Sequence, residues 1–179
     1  MTIYLIRHGK TEANELRLYC GSTDLPLSDS GREELRRIRY DISGVRFLTS
    51  GMARANETME LLFPGIPYEI DPRFREVDFG AFEMRSYEQL KDNPAYQTWL
   101  TGDNESNVPP GGESGKQMTE RVLSAFADIQ KDTCIVTHGG VIAAIMAARF
   151  PEVGRHRYQW QPKNGCGYAI TDDSFVPIP

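Results

Sequence analysis

Two short apolar runs punctuate the chain, and each stops at a histidine followed by glycine. Thr2-Ile3-Tyr4-Leu5-Ile6 is rich in β-branched and aromatic residues and reads as a buried strand. It ends at Arg7-His8-Gly9-Lys10-Thr11. Cys134-Ile135-Val136-Thr137 is a second such run, and it ends at His138-Gly139-Gly140. Two of the protein's 3 histidines therefore sit at the ends of strand-like segments. If those strands lie near one another in one sheet, both imidazoles meet at its carboxyl edge, where open α/β sheets bind their ligands.

The stretch between the two runs alternates helix and strand patterns. Residues 24–31 read as a turn entering a helix, capped by Ser30 with Glu33 three residues on, or by Ser28. Leu35, Ile38 and Ile42 mark one face of that helix and predict an end near Gly44. Residues 45–49 read as a second strand. A second helix opens in Ser50-Gly51-Met52-Ala53-Arg54, continues through Leu61, Leu62 and Phe63, and stops at Pro64-Gly65. Residues 68–70 predict a short strand. From 92 to 115 the composition shifts to Pro, Gly, Asn and Ser, with Tyr96, Trp99 and Leu100 suggesting one short helix inside. A long connection of this kind is expected to be a lid or binding loop. Ser114 and Gln117 have capping-box spacing and open a helix through Met118, Val122, Phe126 and Ile129. After the Cys134 run, Gly139-Gly140 leads into an Ala-rich helix that Pro151 stops. Residues 165–171 and 175–178 read as closing strands in an edge hairpin. Strands alternating with helices predict an α/β sandwich with a largely parallel sheet.

Size and composition narrow the class. At 179 residues the chain is expected to form one domain (1–179), burying roughly 70% of its unfolded surface without staples. A net charge of −5 argues against nucleic acid as a partner. The longest apolar segment, 141–148, is too short to span a bilayer, so no membrane partner is expected. Cys20, Cys134 and Cys166 are odd in number and match neither a disulfide framework nor a zinc set, with Cys134 expected in the core. Together with the missing basic leader, this predicts a reduced, cytoplasmic protein.

Two further residues stand out on local grounds. Arg54 falls in the first turn of a helix, where the macrodipole favours acids. An anion bound at that helix N-terminus resolves the conflict, and so does a solvated arginine with a surface partner. Glu76 has aromatic and aliphatic neighbours and is either a partly desolvated carboxyl suited to acid–base work or a surface acid paired with Arg73 or Arg75. His156, between Arg155 and Arg157, is expected at the surface.

Two histidines, two arginines and a carboxyl suit phosphoryl transfer. Arginines hold phosphate oxygens in bidentate fashion. A neutral imidazole can attack phosphorus and form a covalent intermediate. A second imidazole, if protonated, adds charge where the transition state spreads it. A carboxylic acid protonates the leaving oxygen and later activates water. The alternative, His8, His138 and a carboxylate as a zinc site, is disfavoured because two adjacent arginines repel a cation. No metal or cofactor is expected.

Arg7-His8-Gly9-Lys10-Thr11 with Asn14 resembles the signature of the histidine phosphatase superfamily, which includes the cofactor-dependent phosphoglycerate mutases. Residues 24–31, 50–58, 76–80, 111–114 and 136–140 resemble further family blocks in family order. The resemblance implies a phosphoglycerate mutase-like fold, a three-layer α/β/α sandwich around a mixed, mostly parallel sheet. It makes His8 the nucleophile, Arg7, Arg54 and His138 the phosphate pocket, Glu76 the proton donor and Asn14 a further phosphate contact. It adds Gly139, Tyr19 and Glu83 to the substrate-binding set. Lys10 stands where the family usually has Glu or another small polar residue, and Met84 stands where glycine is common. Within the family, residues 18–21, 79–85 and Gly165-Cys166 are most similar to the alpha-ribazole phosphatases of cobalamin nucleotide-loop assembly. The implied partner is a small-molecule phosphate ester, hydrolysed rather than isomerised because the longer mutase insertions are missing. A phosphoglycerate mutase and a broad sugar phosphatase are the alternatives. A non-catalytic phosphate-binding module is disfavoured by the presence of His8, Glu76 and His138.

Overall fold

The computed structural model describes residues 1–103 and 105–179; Asn104, inside the expected lid segment 92–115, lies outside the described residues. A six-stranded sheet runs through the centre. Its strands are β1 (Ile3–Arg7), β2 (Arg46–Thr49), β3 (Glu69–Ile70), β4 (Thr133–Thr137), β5 (Gly167–Ile170) and β6 (Phe175–Ile178), in the spatial order β3-β2-β4-β1-β5-β6. The first four in that order pair in parallel, and β5 and β6 close the sheet as the expected antiparallel hairpin. The sheet is therefore mixed and mostly parallel.

The two central strands, β1 and β4, read as continuous apolar runs because both of their faces are covered. Ile3, Leu5 and Ile135 pack with α6 (Gly115–Ala127), α7 (Gly139–Arg149) and Trp160 on one side. Ile6, Cys134 and Val136 pack with α3 (Ala53–Leu62) on the other, and α2 (Asp29–Arg36) lies against α3. These are the three layers. Over the carboxyl edge sits a small aromatic cluster of Phe82, Leu90 and Tyr96, with Tyr19, Phe79 and Trp99 against it. It includes the short helix α5 (Pro94–Leu100), so the first part of segment 92–115 is built on its own apolar contacts. The short helices α1 (Glu12–Glu15) and α4 (Tyr87–Leu90) complete the set. No helix among the described residues is long and apolar enough to cross a membrane.

One local alternative is decided and one expectation changes. Ser28, not Ser30, caps α2, accepting from Gly31 N at 3.1 Å, while the Ser30 hydroxyl turns to Glu15. The helix also stops at Arg36 rather than near Gly44. Ile38, Tyr40 and Ile42 alternate with exposed Arg39 and Asp41, which is the period of extended chain rather than helix. The Tyr40 hydroxyl reaches across to donate to Gly165 O at 2.7 Å, and its ring packs against Phe63. Tertiary packing overrides the helical period there. Tyr40→Phe should cost about 1 kcal/mol by removing that hydrogen bond. A lower urea midpoint with unchanged slope is the expected result, and an unchanged midpoint contradicts it.

Candidate active site

The parallel pairing of β1 with β4 puts Arg7 opposite Thr137, so the residue after each strand is a histidine at the same edge. His8 N donates to Thr137 O at 2.9 Å, and the two imidazole centroids lie 5.1 Å apart. Both rings are buried, His8 5% exposed and His138 not at all. His8 Nδ1 is 2.6 Å from Gly9 O. A carbonyl can only accept, so Nδ1 carries the proton and Nε2 keeps its lone pair. Burial, then the nearby Arg54 and Arg7 charges, hold the His8 pKa well below the usual imidazole value, against a smaller upward pull from the Gly9 bond. His8 is thus a neutral ring of defined tautomer.

His138 is fixed by similar logic. Arg54 Nε donates to its Nδ1 at 3.3 Å, so Nδ1 is an acceptor and Nε2–H donates to Ser50 Oγ at 2.8 Å. Burial first, then Arg54, His8, Arg7 and Arg121, depress its pKa well below the usual range. The charged ring considered from the sequence is therefore neutral in this structure. A bound anion would supply the opposing charge that makes protonation favourable.

Arg54 is 1% exposed, which rules out the solvated surface arginine. The anion expected at its helix end is present, but it belongs to the chain: Asp24 Oδ1 accepts from Ala53 N at 2.7 Å. The guanidinium turns back over the imidazoles and is held from behind, Nη1 donating to Thr23 O at 2.9 Å and Nη2 to Gly21 O at 2.7 Å. Arg7 donates from Nη1 to Pro162 O at 2.8 Å, and its buried Nε has no partner. An unpaired buried N–H beside two histidines is what an anion's oxygen would satisfy.

Glu76 pairs with neither candidate arginine. Arg73 is taken by Asp71 and Asp128, and Arg75 Nε reaches Ser50 O at 3.4 Å. Glu76 Oε2 instead accepts from Gly140 N at 2.8 Å and Oε1 from Val77 N at 3.0 Å, which seats the carboxyl at the N-terminus of α7. The Gly139-Gly140 pair permits this approach. A Cβ on Gly140 would come within 2.4 Å of Glu76 Oε1, and one on Gly139 within 3.1 Å of Arg7 Cζ.

The other candidates are spread differently. Asn14 Oδ1 accepts from Thr11 N at 3.0 Å and from Asn164 Nδ2 at 3.4 Å, capping α1 beside the His8 loop. Tyr19 stacks among the edge aromatics, its hydroxyl 2.5 Å from that of Tyr96. Glu83 is a departure from the substrate-binding role: its carboxylate accepts from the N–H groups of Gly21, Ser22, Thr23 and Phe79 and from the Thr23 hydroxyl. Those bonds hold the very loop whose carbonyls grip Arg54. Lys10 points away from the rings to Glu34 at 2.6 Å, and His156 is exposed as expected.

Ser50, Asp24, Asn164 and Thr58 were not singled out by the sequence. Asn164 Nδ2 donates to His8 O at 2.9 Å, and Thr58 Oγ1 accepts from Gly9 N at 2.9 Å while donating to Arg54 O at 2.6 Å. The local signals were that Ser50 and Thr58 bracket the Arg54 block and that Asp24 opens the block 24–31. Among the described residues, no group of three or more His, Cys, Asp or Glu side chains is placed to hold a metal ion.

Residues 3–172 match the profile of the Histidine phosphatase superfamily (branch 1). The chain belongs to that superfamily. An adenosylcobalamin/alpha-ribazole phosphatase of Salmonella typhimurium is 34% identical over 187 residues, covering 95% of this chain and 90% of the relative. The crystal structure of TTHB049 from Thermus thermophilus superposes with a TM-score of 0.83 at 30% identity, covering 100% of this chain and 99% of that one. A phosphoglycerate mutase from the same organism gives a TM-score of 0.82 at 30% identity, with 100% and 99% covered.

The two depressed imidazoles have a consequence for stability. In the unfolded chain each histidine takes up a proton near pH 6.5, whereas in the folded site it does not. The unfolded state then binds more protons, so stability falls as pH drops below about 6.5. Both rings should contribute to that loss between pH 7 and 5.5, above the range where carboxylates titrate. Denaturant melts of His8→Gln and His138→Gln should show a shallower slope between pH 7 and 5.5 than the parent. Equal slopes would contradict the neutral assignment.

Proposed function

We propose that this chain is a metal-independent phosphomonoesterase working through phosphohistidine. The observation that carries the reading is the His8 Nδ1–Gly9 O bond, which leaves Nε2 as a free nucleophile among Arg7, Arg54 and His138. Nε2 attacks phosphorus as the bond to the ester oxygen breaks, and Glu76 gives that oxygen its proton. Glu76, now a carboxylate, takes a proton from water. The water oxygen then displaces His8 from phosphorus, giving inorganic phosphate and the starting imidazole. Arg7 and Arg54 stabilise the three equatorial oxygens, and Asn14 lies close enough to the His8 loop to assist them.

For the group on the ester oxygen, the reading rests on a cavity of about 350 Å³ beside Glu76 and Gly140. Tyr19, Phe79, Trp99, Leu100 and Tyr158 give it a flat, apolar wall. Two nearby apolar side chains are not part of it: Phe82 is buried at 1% exposure, and Met84 is absent from the lining. Among the described residues Arg157 is the one cation on the wall, and it is paired with Glu105. A small phosphorylated acid would want free cations, whereas a nucleoside-like group suits this lining. With the Salmonella relative, this favours alpha-ribazole 5′-phosphate and a place in cobalamin nucleotide-loop assembly. The mutase-like Thermus neighbour supports isomerisation of a phosphoglycerate as the second reading.

Brief incubation with labelled substrate should yield an acid-labile, base-stable phosphoprotein that His8→Ala cannot form. Phosphate mapped to serine or cysteine would sink the mechanism. Chelators should leave turnover intact, and truncating Arg54 should slow it by roughly a hundredfold or more. Comparing kcat/KM for alpha-ribazole 5′-phosphate, 3-phosphoglycerate and sugar phosphates decides the substrate. Preference for the phosphoglycerate favours the mutase, and equal values mean a broad phosphatase.

A further inference from the structure

Residues 75–79, which carry Glu76, belong to no helix or strand. Without a ladder of their own, their backbone carbonyls need partners from elsewhere. One side chain serves two of them, together with the carbonyl of Arg73 just before the segment. Arg121, on α6, donates from Nη1 to Arg73 O and to Arg75 O, both at 2.8 Å, and from Nη2 to Glu76 O at 3.3 Å. Its remaining donors go to Glu113, Nε to Oε1 at 2.8 Å and Nη2 to Oε2 at 2.6 Å. A guanidinium has five N–H donors in a fixed plane, and all five are used here. None is left for a substrate.

The anchoring carboxylate is part of the same clamp. Glu113 N donates to Asp78 O at 2.9 Å, and the next residue, Ser114, caps α6. The Glu76 segment is therefore gripped behind residue 76 by the Arg121 fork and in front of it by the Glu113 backbone. From that fixed backbone the Glu76 carboxyl reaches Gly140 N.

We propose that Arg121, seated on Glu113, is the positioning residue for the Glu76 carboxyl: it holds the Arg73, Arg75 and Glu76 carbonyls and so fixes where the proton donor stands relative to His8. The inference rests on the reading of Glu76 as that donor. Lysine at the same place keeps the charge but offers a tetrahedral ammonium with three donors, which cannot span a carboxylate and three carbonyls together. The carboxyl then drifts, and a displacement of about 1 Å in a reacting group costs on the order of a hundredfold.

The decisive readout is leaving-group dependence, because a merely structural clamp affects all esters alike. Arg121→Lys and Glu113→Gln are compared with the parent and with Glu76→Gln, on an alkyl phosphate and on an activated aryl phosphate. The aryl leaving group needs little protonation. Arg121→Lys should lower kcat/KM, which reports the leaving-group step alone, by about ten- to hundredfold on the alkyl ester and leave it nearly unchanged on the aryl ester, with Glu113→Gln showing the same alkyl-to-aryl ratio. Equal losses on both esters, or none on either, in Arg121→Lys would overturn the positioning role. If Arg121→Lys does not fold, Glu113→Gln decides by the same comparison. If Glu76→Gln itself shows no leaving-group preference, the proton-donor reading falls and the positioning role with it. If Glu76→Gln shows it and the other two do not, only the positioning role is lost.

Discussion

The site depends on one parallel strand pair. The β1–β4 register sets Arg7 against Thr137 and thereby places His8 and His138 side by side. That register is locked from both faces, because alternate residues of each strand belong to different cores. Leu5 and Ile135 pack toward α7, while Ile6 and Val136 pack toward α3. A slip by one residue would exchange the two sets and break both cores at once. The imidazole spacing is therefore inherited from packing far below the site, and the fold's stability and the site's geometry rest on the same contacts.

Much of this was legible in the chain itself. The apolar runs ending in His-Gly were visible because both faces of a central parallel strand must be apolar, which leaves a dense local signal. The Ser114 capping box, the closing hairpin and the short strand at Glu69 were readable for the same reason, each being a pattern of adjacent residues. What stayed hidden depends on residues distant in sequence. Nothing near Arg54 announces that Asp24 caps its helix or that the Gly21 and Thr23 carbonyls hold its guanidinium. Ile38-Arg39-Tyr40-Asp41-Ile42 satisfies helix and strand periods alike, and only the cross-chain bond from Tyr40 to Gly165 shows which applies. Ser50 looked like a helix-start residue until His138 met it from 88 positions away.

The resemblance to a family named the central chemistry, and the structure supplied the supports that a motif does not encode. Glu83 and Asp24 are both acids near the site, yet each acts on the chain's own backbone. Their work is done one layer behind the arginine that faces the rings. Motif matching sees that arginine and passes over its scaffolding, since carbonyls and N–H groups have no residue identity to match.

Arg54 is cut off from water by the fold itself, its guanidinium leaning on two carbonyls of a loop that Glu83 in turn tethers. Stripping hydration from such a cation is costly, and here the stripping takes place when the chain folds rather than when a ligand arrives. On the proposed function, a phosphate reaching this pocket would meet a charge already dehydrated and already aimed. The cost sits in the folding equilibrium, where the bonds from the guanidinium to the Gly21 and Thr23 carbonyls and to His138 Nδ1 offset it.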